Sequence, residues 1–233
     1  CAYQDRLRAN LQAFAAQFGS PYMDVHVGMV TVDGLDAAVA GRLDLGRGAT
    51  PLYLDRTMLD QAATRLVPGC AGTEDGSEAG LAAMQDALAL GMTDTGCDDD
   101  AECAWRLCDE DPACPFTCRA GTCGGPNRDF LRKDAQLEIV VVSDTDDHSP
   151  AEPAFYADYL KNLKGWYNVG MMHFNAVLLP VGGCEATGDP GLQDQWYGQV
   201  AVATGGLLGS ICDDSWAAGL VQIGQVSFLP KVQ

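Results

Sequence analysis

The residues best equipped for chemistry stand together in SDTDDHS, residues 143–149. Asp144, Asp146 and Asp147 are interspersed with Ser143, Thr145 and Ser149, which makes a dense set of oxygen donors. Hard divalent cations such as Mg²⁺ and Ca²⁺ take carboxylate and hydroxyl oxygens, whereas softer metals prefer nitrogen and sulfur. The same loop equally suits a structural use, as a solvated acidic turn that N-caps the following helix. A second oxygen-rich loop, GTEDGSEAG over residues 72–80, places Thr73, Asp75 and Ser77 at the start of a helix. Hydroxyls there can ligate metal, and free amides can hold an anion. Read as a capping box, Ser77 or Asp75 is the N-cap and Glu78 lies in the first turn.

Other chemistries find less support. The chain has no Gly-x-Ser-x-Gly elbow, and cysteines paired in disulfides leave no thiolate for a Cys–His nucleophile. His148, beside three carboxylates, reads either as a base with a raised pKa or as a surface histidine. His26 and His173 fall inside strand-like runs and read as core or edge residues. With 32 acids, carboxylate pairs for glycoside hydrolysis always exist, and nothing singles one out. GGC at 182–184 and GGLLGSIC at 205–212 lack both the lysine of a P-loop and the Rossmann spacing.

The elements that must position these loops follow from periodicity. Leu7, Leu11, Phe14 and Phe18 repeat at helical spacing over 2–18, with Arg6, Arg8 and Gln12 turned outward. DVHVGMVTV (24–32) is short and β-branched, hence a strand. Helices are predicted over 57–67 and from about Ser77 through Leu88. LEIVVVS (137–143) is a continuous apolar run, the mark of a central parallel strand, and 171–179 is a second buried-type strand. Helices are predicted at 153–164, 193–204 and 214–224, and a further strand from Val226 to Leu229. Strands alternating with helices give an α/β fold with a mainly parallel sheet, whose ligands bind beyond the carboxyl ends of the strands. That rule points to Asp144.

Composition narrows the setting. The chain has 233 residues, 47% of them apolar, and a formal charge of −18. Such acidity repels phosphate backbones and anionic lipid, so nucleic acid and membrane surfaces are poor partners. No apolar run is long enough for a transmembrane segment. There are ten cysteines: Cys1, Cys70, Cys97, Cys103, Cys108, Cys114, Cys118, Cys123, Cys184 and Cys212. An even count without any Cys-x-x-Cys spacing favours disulfides over zinc and an extracytoplasmic location, secreted, periplasmic or on the cell surface. Residues 94–127 hold six of these cysteines among many acids and read as a disulfide-stapled insertion into a domain formed by 1–93 and 128–233. The sequence does not choose among the pairings within it. Cys184 and Cys212 are expected to staple the loops that flank the 193–204 helix. The chain's start at Cys1 without a methionine reads as processing or excision from a longer protein. Parity favours a structural disulfide from Cys1, with Cys70 as partner, over a lipidated terminal cysteine.

The order of four stretches, CAYQDRLRANLQAF, DVHVGMVTVDG, GTEDGSEAGLAAMQDAL and FLRKDAQLEIVVVSDTDDHS, resembles a von Willebrand factor type A domain of secreted or surface-anchored bacterial proteins. LLPVGGCEATG through VATGGLLGSIC also fits that group. The resemblance covers most of the chain apart from the cysteine-rich insertion. It implies a doubly wound sheet carrying a metal-ion-dependent adhesion site on its carboxyl edge. Asp144 matches the family's acid after a central strand, and Ser77 or Thr73 matches its second-loop hydroxyl. The family's Asp-x-Ser-x-Ser loop, and the central strand before it, would lie upstream of Cys1. A neighbouring chain or segment is therefore expected to complete the sheet. The expected function is an extracytoplasmic adhesion or protein-interaction module without enzymatic activity. Its candidate ligands for Mg²⁺ or Ca²⁺ are Asp144, Asp146, Ser77 and Thr73, and its partner is a protein or cell-surface ligand. The alternatives are a structural subunit of a surface filament without functional metal and, more distantly, a secreted hydrolase using the 144–149 carboxylates.

Overall fold

A computed structural model describes residues 2–16, 24–32, 40–43, 52–65, 78–184, 191, 195–213 and 216–228. In chain order, the first helix α1 (Ala2–Ala16) precedes two short strands, β1 (His26–Val27) and β2 (Leu54–Asp55), which pair antiparallel. A 3₁₀ turn, Arg56–Gln61, runs into α2 (Ala62–Arg65). Asp55 caps this turn by accepting from the Thr57 amide at 2.7 Å. Then come α3 (Gly80–Ala89), β3 (Met92–Gly96), α4 (Asp100–Cys108), β4 (Thr117–Arg119) and β5 (Thr122–Gly124). The last part holds β6 (Leu137–Ser143), α5 (Pro153–Leu163), a 3₁₀ turn (Trp166–Met171), β7 (Met172–Leu178), α6 (Trp196–Ala203), β8 (Leu208–Ser210) and α7 (Ala217–Phe228).

The chain is thus an α/β protein whose largest strands form one parallel sheet, ordered β6-β7-β8. In register Ser143 faces Leu178 and Leu178 faces Ser210, so three strands end side by side. β7 is buried along nearly its whole length, as a middle strand must be, and β6 is less covered. Here the structure departs from the apolar run's promise. Among the described residues β6 pairs on one side only, and β7 takes the central place.

One core joins sheet and helices. Phe174, Ala176 and Leu178 of β7 pack with Leu81 and Met84 of α3, Leu160 of α5, Val200 of α6 and Leu220 of α7. A smaller cluster gathers Leu11, Ala15, Val25, Leu54 and Leu59, and Phe14 touches both. Arg6 does not face outward as the helical pattern suggested. Its guanidinium donates to the Ile211 carbonyl at 2.7 Å and lies 5.8 Å from the Trp216 ring. α1 packs along α7, so the aliphatic stem is covered and only the head finds polar partners. The strand expected at Val226–Leu229 is helix over its described residues. Val226 to Phe228 continue α7, and no strand among the described residues pairs with them.

The cysteine-rich stretch folds as a three-stranded antiparallel sheet, β3-β5-β4, with α4 beside it. Its disulfides are Cys97–Cys118, Cys103–Cys123 and Cys108–Cys114. Asn127, 2% exposed, fastens this unit to the body. Its amide donates to the carbonyls of Gly41 at 2.7 Å and Ala87 at 3.0 Å. Cys184–Cys212 joins the loops after β7 and β8, on either side of α6, as the spacing suggested. Cys1 and Cys70 lie outside the described residues. The four disulfides among the described residues point to an oxidising, extracytoplasmic compartment. No described helix is long and apolar enough to cross a membrane.

Candidate functional site

The loop after β6 lies on the carboxyl edge of the parallel sheet, next to the start of α3. A helix leaves its first amides without intrahelical partners. α3 has no side-chain cap of its own, because its N-cap position is Ala79. The caps come instead from the loop after β6. Asp147 accepts from the Leu81 amide at 3.1 Å, and the Ser149 hydroxyl oxygen accepts from the Ala82 amide at 2.9 Å. The Tyr197 hydroxyl oxygen accepts from the Gly80 amide at 3.2 Å. A side chain at position 80 would collide with that hydroxyl, which explains the glycine. The structural use foreseen for 143–149 is therefore real, but the capped helix is the preceding α3, not the following one. α5 starts with Pro153, whose missing N–H needs no cap.

This arrangement also corrects the second loop. The helix begins at Gly80, not near Ser77, so Glu78 stands ahead of it rather than in its first turn. The Glu78 carbonyl accepts from the His148 amide at 2.7 Å. Its carboxylate receives the Thr145 hydroxyl at 2.5 Å and lies 3.2 Å from the Ser143 hydroxyl. Ser143 Oγ in turn accepts from the Thr145 amide at 3.1 Å. Glu78, which the sequence offered only as a capping-box member, is thus the bridge between the two loops. Its place in the hydroxyl-rich loop 72–80 was the one available signal.

The three acids of the loop divide by burial. Asp147 is 5% exposed, and Ser149 donates its amide to the same carboxylate at 3.1 Å. Asp144 is exposed and takes no hydrogen bond or ion pair from any described residue. Asp146 is half-buried and keeps an interaction of its own. Thr73 and Ser77 lie outside the described residues. His148 is exposed, and His26 and His173 sit in β1 and β7. Among the described residues, the three Cys, His or carboxylate ligand atoms that come within 4.8 Å of one another are the sulfurs of Cys97, Cys103 and Cys123. All three are consumed in disulfides and offer no thiolate.

The electrostatics of this corner centre on Tyr197. Burial pushes its hydroxyl far up from the ordinary tyrosine range, and the neighbouring Asp147 charge adds to the shift. Burial also raises Tyr156, on α5. A folded-state pKa above the unfolded value contributes stability below about pH 10 that is lost as pH rises further. Urea unfolding between pH 9 and 10.5 is therefore expected to show falling stability above about pH 10. Tyr197→Phe is expected to make that limb shallower by up to about 1.4 kcal/mol per pH unit, the slope of one proton. Lys164, held low by burial, acts in the opposite sense but is common to both proteins. An unchanged slope in Tyr197→Phe would rule Tyr197 out as the source.

No protein-family model, curated protein or solved structure matches this chain. Function must therefore be read from the carboxyl edge itself. That edge offers the exposed carboxylate of Asp144, on a loop whose other end is bolted to the N-terminus of α3 by Asp147 and Ser149.

Proposed function

We propose that the chain is an extracytoplasmic interaction module of the von Willebrand factor type A kind, holding a divalent cation at Asp144 to bind a protein or cell-surface ligand. The observation that carries this reading is the exposed Asp144 carboxylate, unpartnered among the described residues, directly after a parallel strand. Ligands of parallel α/β sheets bind at that edge. The donors nearby are oxygens, which suits Mg²⁺ or Ca²⁺. In this reading Asp144 holds the ion, Thr73 and Ser77 supply hydroxyls from the second loop, and Asp146 supports it. Asp147 and Ser149 keep the loop in place without touching the ion. A bound hard cation with an open coordination position supplies attraction for an acidic oxygen of the partner. Binding rather than catalysis is the proposed role.

A second reading rests on β6. Its far edge receives no strand from the described residues, and an apolar edge strand invites pairing. A neighbouring chain or segment added there would complete a doubly wound sheet. In its stronger form the chain is a structural subunit of a surface assembly that needs no metal.

Thermal melts in EDTA, Mg²⁺ and Ca²⁺ separate the two. A ligand at a hundred times its Kd stabilises by about 2.7 kcal/mol, several degrees in a chain of this size. The expected result is a metal-dependent rise that Asp144→Ala abolishes while its melt in EDTA matches the parent. No metal effect, with self-association in sedimentation, would favour the assembly reading.

A further inference from the structure

α4 buries Cys103 and packs Leu107 against the disulfide cluster, yet it leaves Trp105 60% exposed. A tryptophan turned to water contributes little to so small a core. Beside it lies a shallow depression of about 510 Å³, lined by Asp99, Ala101, Glu102, Ala104, Trp105 and Glu110. Half of its lining is apolar and half is carboxylate. Asp99 caps α4 through the Glu102 amide at 3.0 Å, and Glu102 accepts from the Asp98 amide at 3.0 Å. Glu110 has no such duty. Its amide donates to the Ala104 carbonyl at 3.1 Å, which fixes its place, and its carboxylate takes no partner from the described residues. The chain already sets one cation on this ring, since the Arg106 guanidinium lies 5.8 Å from the Trp105 centroid and 3.8 Å from the Glu102 carboxylate, which leaves Glu110 as the acid of the lining with no duty.

We propose that this depression docks an arginine-bearing basic segment of a partner protein, with a guanidinium stacked on Trp105 and its charge met by Glu110. Charge complementarity selects this occupant. Residues 94–127 carry eight acids against Arg106 and Arg119, within a chain of net charge −18. A planar guanidinium can stack on an aromatic face and pair with carboxylates at once, which an ammonium does less well. A metal ion is not favoured, because no three acidic ligand atoms converge here among the described residues. The inference is independent of any cation at Asp144.

The test is fluorescence polarisation of a fluorescein-labelled Arg-Gly repeat octapeptide with the disulfide-intact chain at 0.15 M salt, a concentration at which distant charges are largely screened. Saturable binding is expected. Trp105→Ala should weaken it about tenfold, within reach of one cation–π contact, and Glu110→Gln several-fold. Asp158→Asn on α5 removes a charge elsewhere and should leave it unchanged. Trp105 is exposed, so the variant should fold, which circular dichroism checks. Wild-type affinity in Trp105→Ala, an equal loss in Asp158→Asn, or no saturation would each overturn the proposal.

Discussion

Asp147→Ala is expected to destabilise the chain by about 3–4 kcal/mol, although Asp147 is not a proposed metal ligand. Its carboxylate accepts from the amides of Leu81 and Ser149 and from the Tyr197 hydroxyl. Each buried donor left without an acceptor costs about 1–3 kcal/mol, and bonds to a charged acceptor are the stronger ones. A negative charge at the start of α3 also meets the positive end of the helix. Asp147→Asn keeps the size and one acceptor, so it should fall between the two. Urea midpoints measure the loss, and hydrogen exchange at Leu81 and Ala82 locates it. Unchanged protection at those amides would show that the helix start does not depend on this carboxylate.

Removing Cys103–Cys123 as a double alanine variant should cost about 3 kcal/mol from chain entropy alone, for a loop of 20 residues. The true loss should be larger, because both cysteines are fully buried and are themselves much of the local core. Leu107 and Phe116 are the main apolar side chains packed beside them. Too little apolar surface then remains to offset repulsion among the acids of 98–111. Limited proteolysis with mass spectrometry should show new cleavages between 98 and 121. Cys108–Cys114 spans only 6 residues and should matter less. Equal sensitivity of the two variants would contradict this ranking.

These two expectations show what the sequence could and could not reveal. Helical spacing at Leu7 and Leu11 was legible because one-sided burial imposes a period, and the strands at 137–143 and 171–179 because burial on both faces gives a continuous apolar run. The Cys184–Cys212 staple was legible because its cysteines flank a helix. The division of labour among Asp144, Asp146 and Asp147 was not. Three acids in one loop look alike until a helix from 66 residues earlier claims one of them. Glu78 was hidden for the same reason, since its partners Ser143 and Thr145 are distant in sequence. Arg6 was misread because periodicity sees charge, not the aliphatic stem that packs along α7. Val226 to Phe228 were misread because β-branched and aromatic residues also extend a helix already under way.

The central claim is that Asp144 presents a cation site on a loop anchored to α3. Mn²⁺ titration of the ¹⁵N-labelled chain tests it most directly, because a bound paramagnetic ion broadens the amides around it. The account predicts that signals of Asp144, Thr145 and Glu78 vanish first at substoichiometric Mn²⁺, return with excess Mg²⁺, and persist in Asp144→Ala. Broadening that begins among the exposed acids of 98–111, or that is the same in Asp144→Ala, would contradict it.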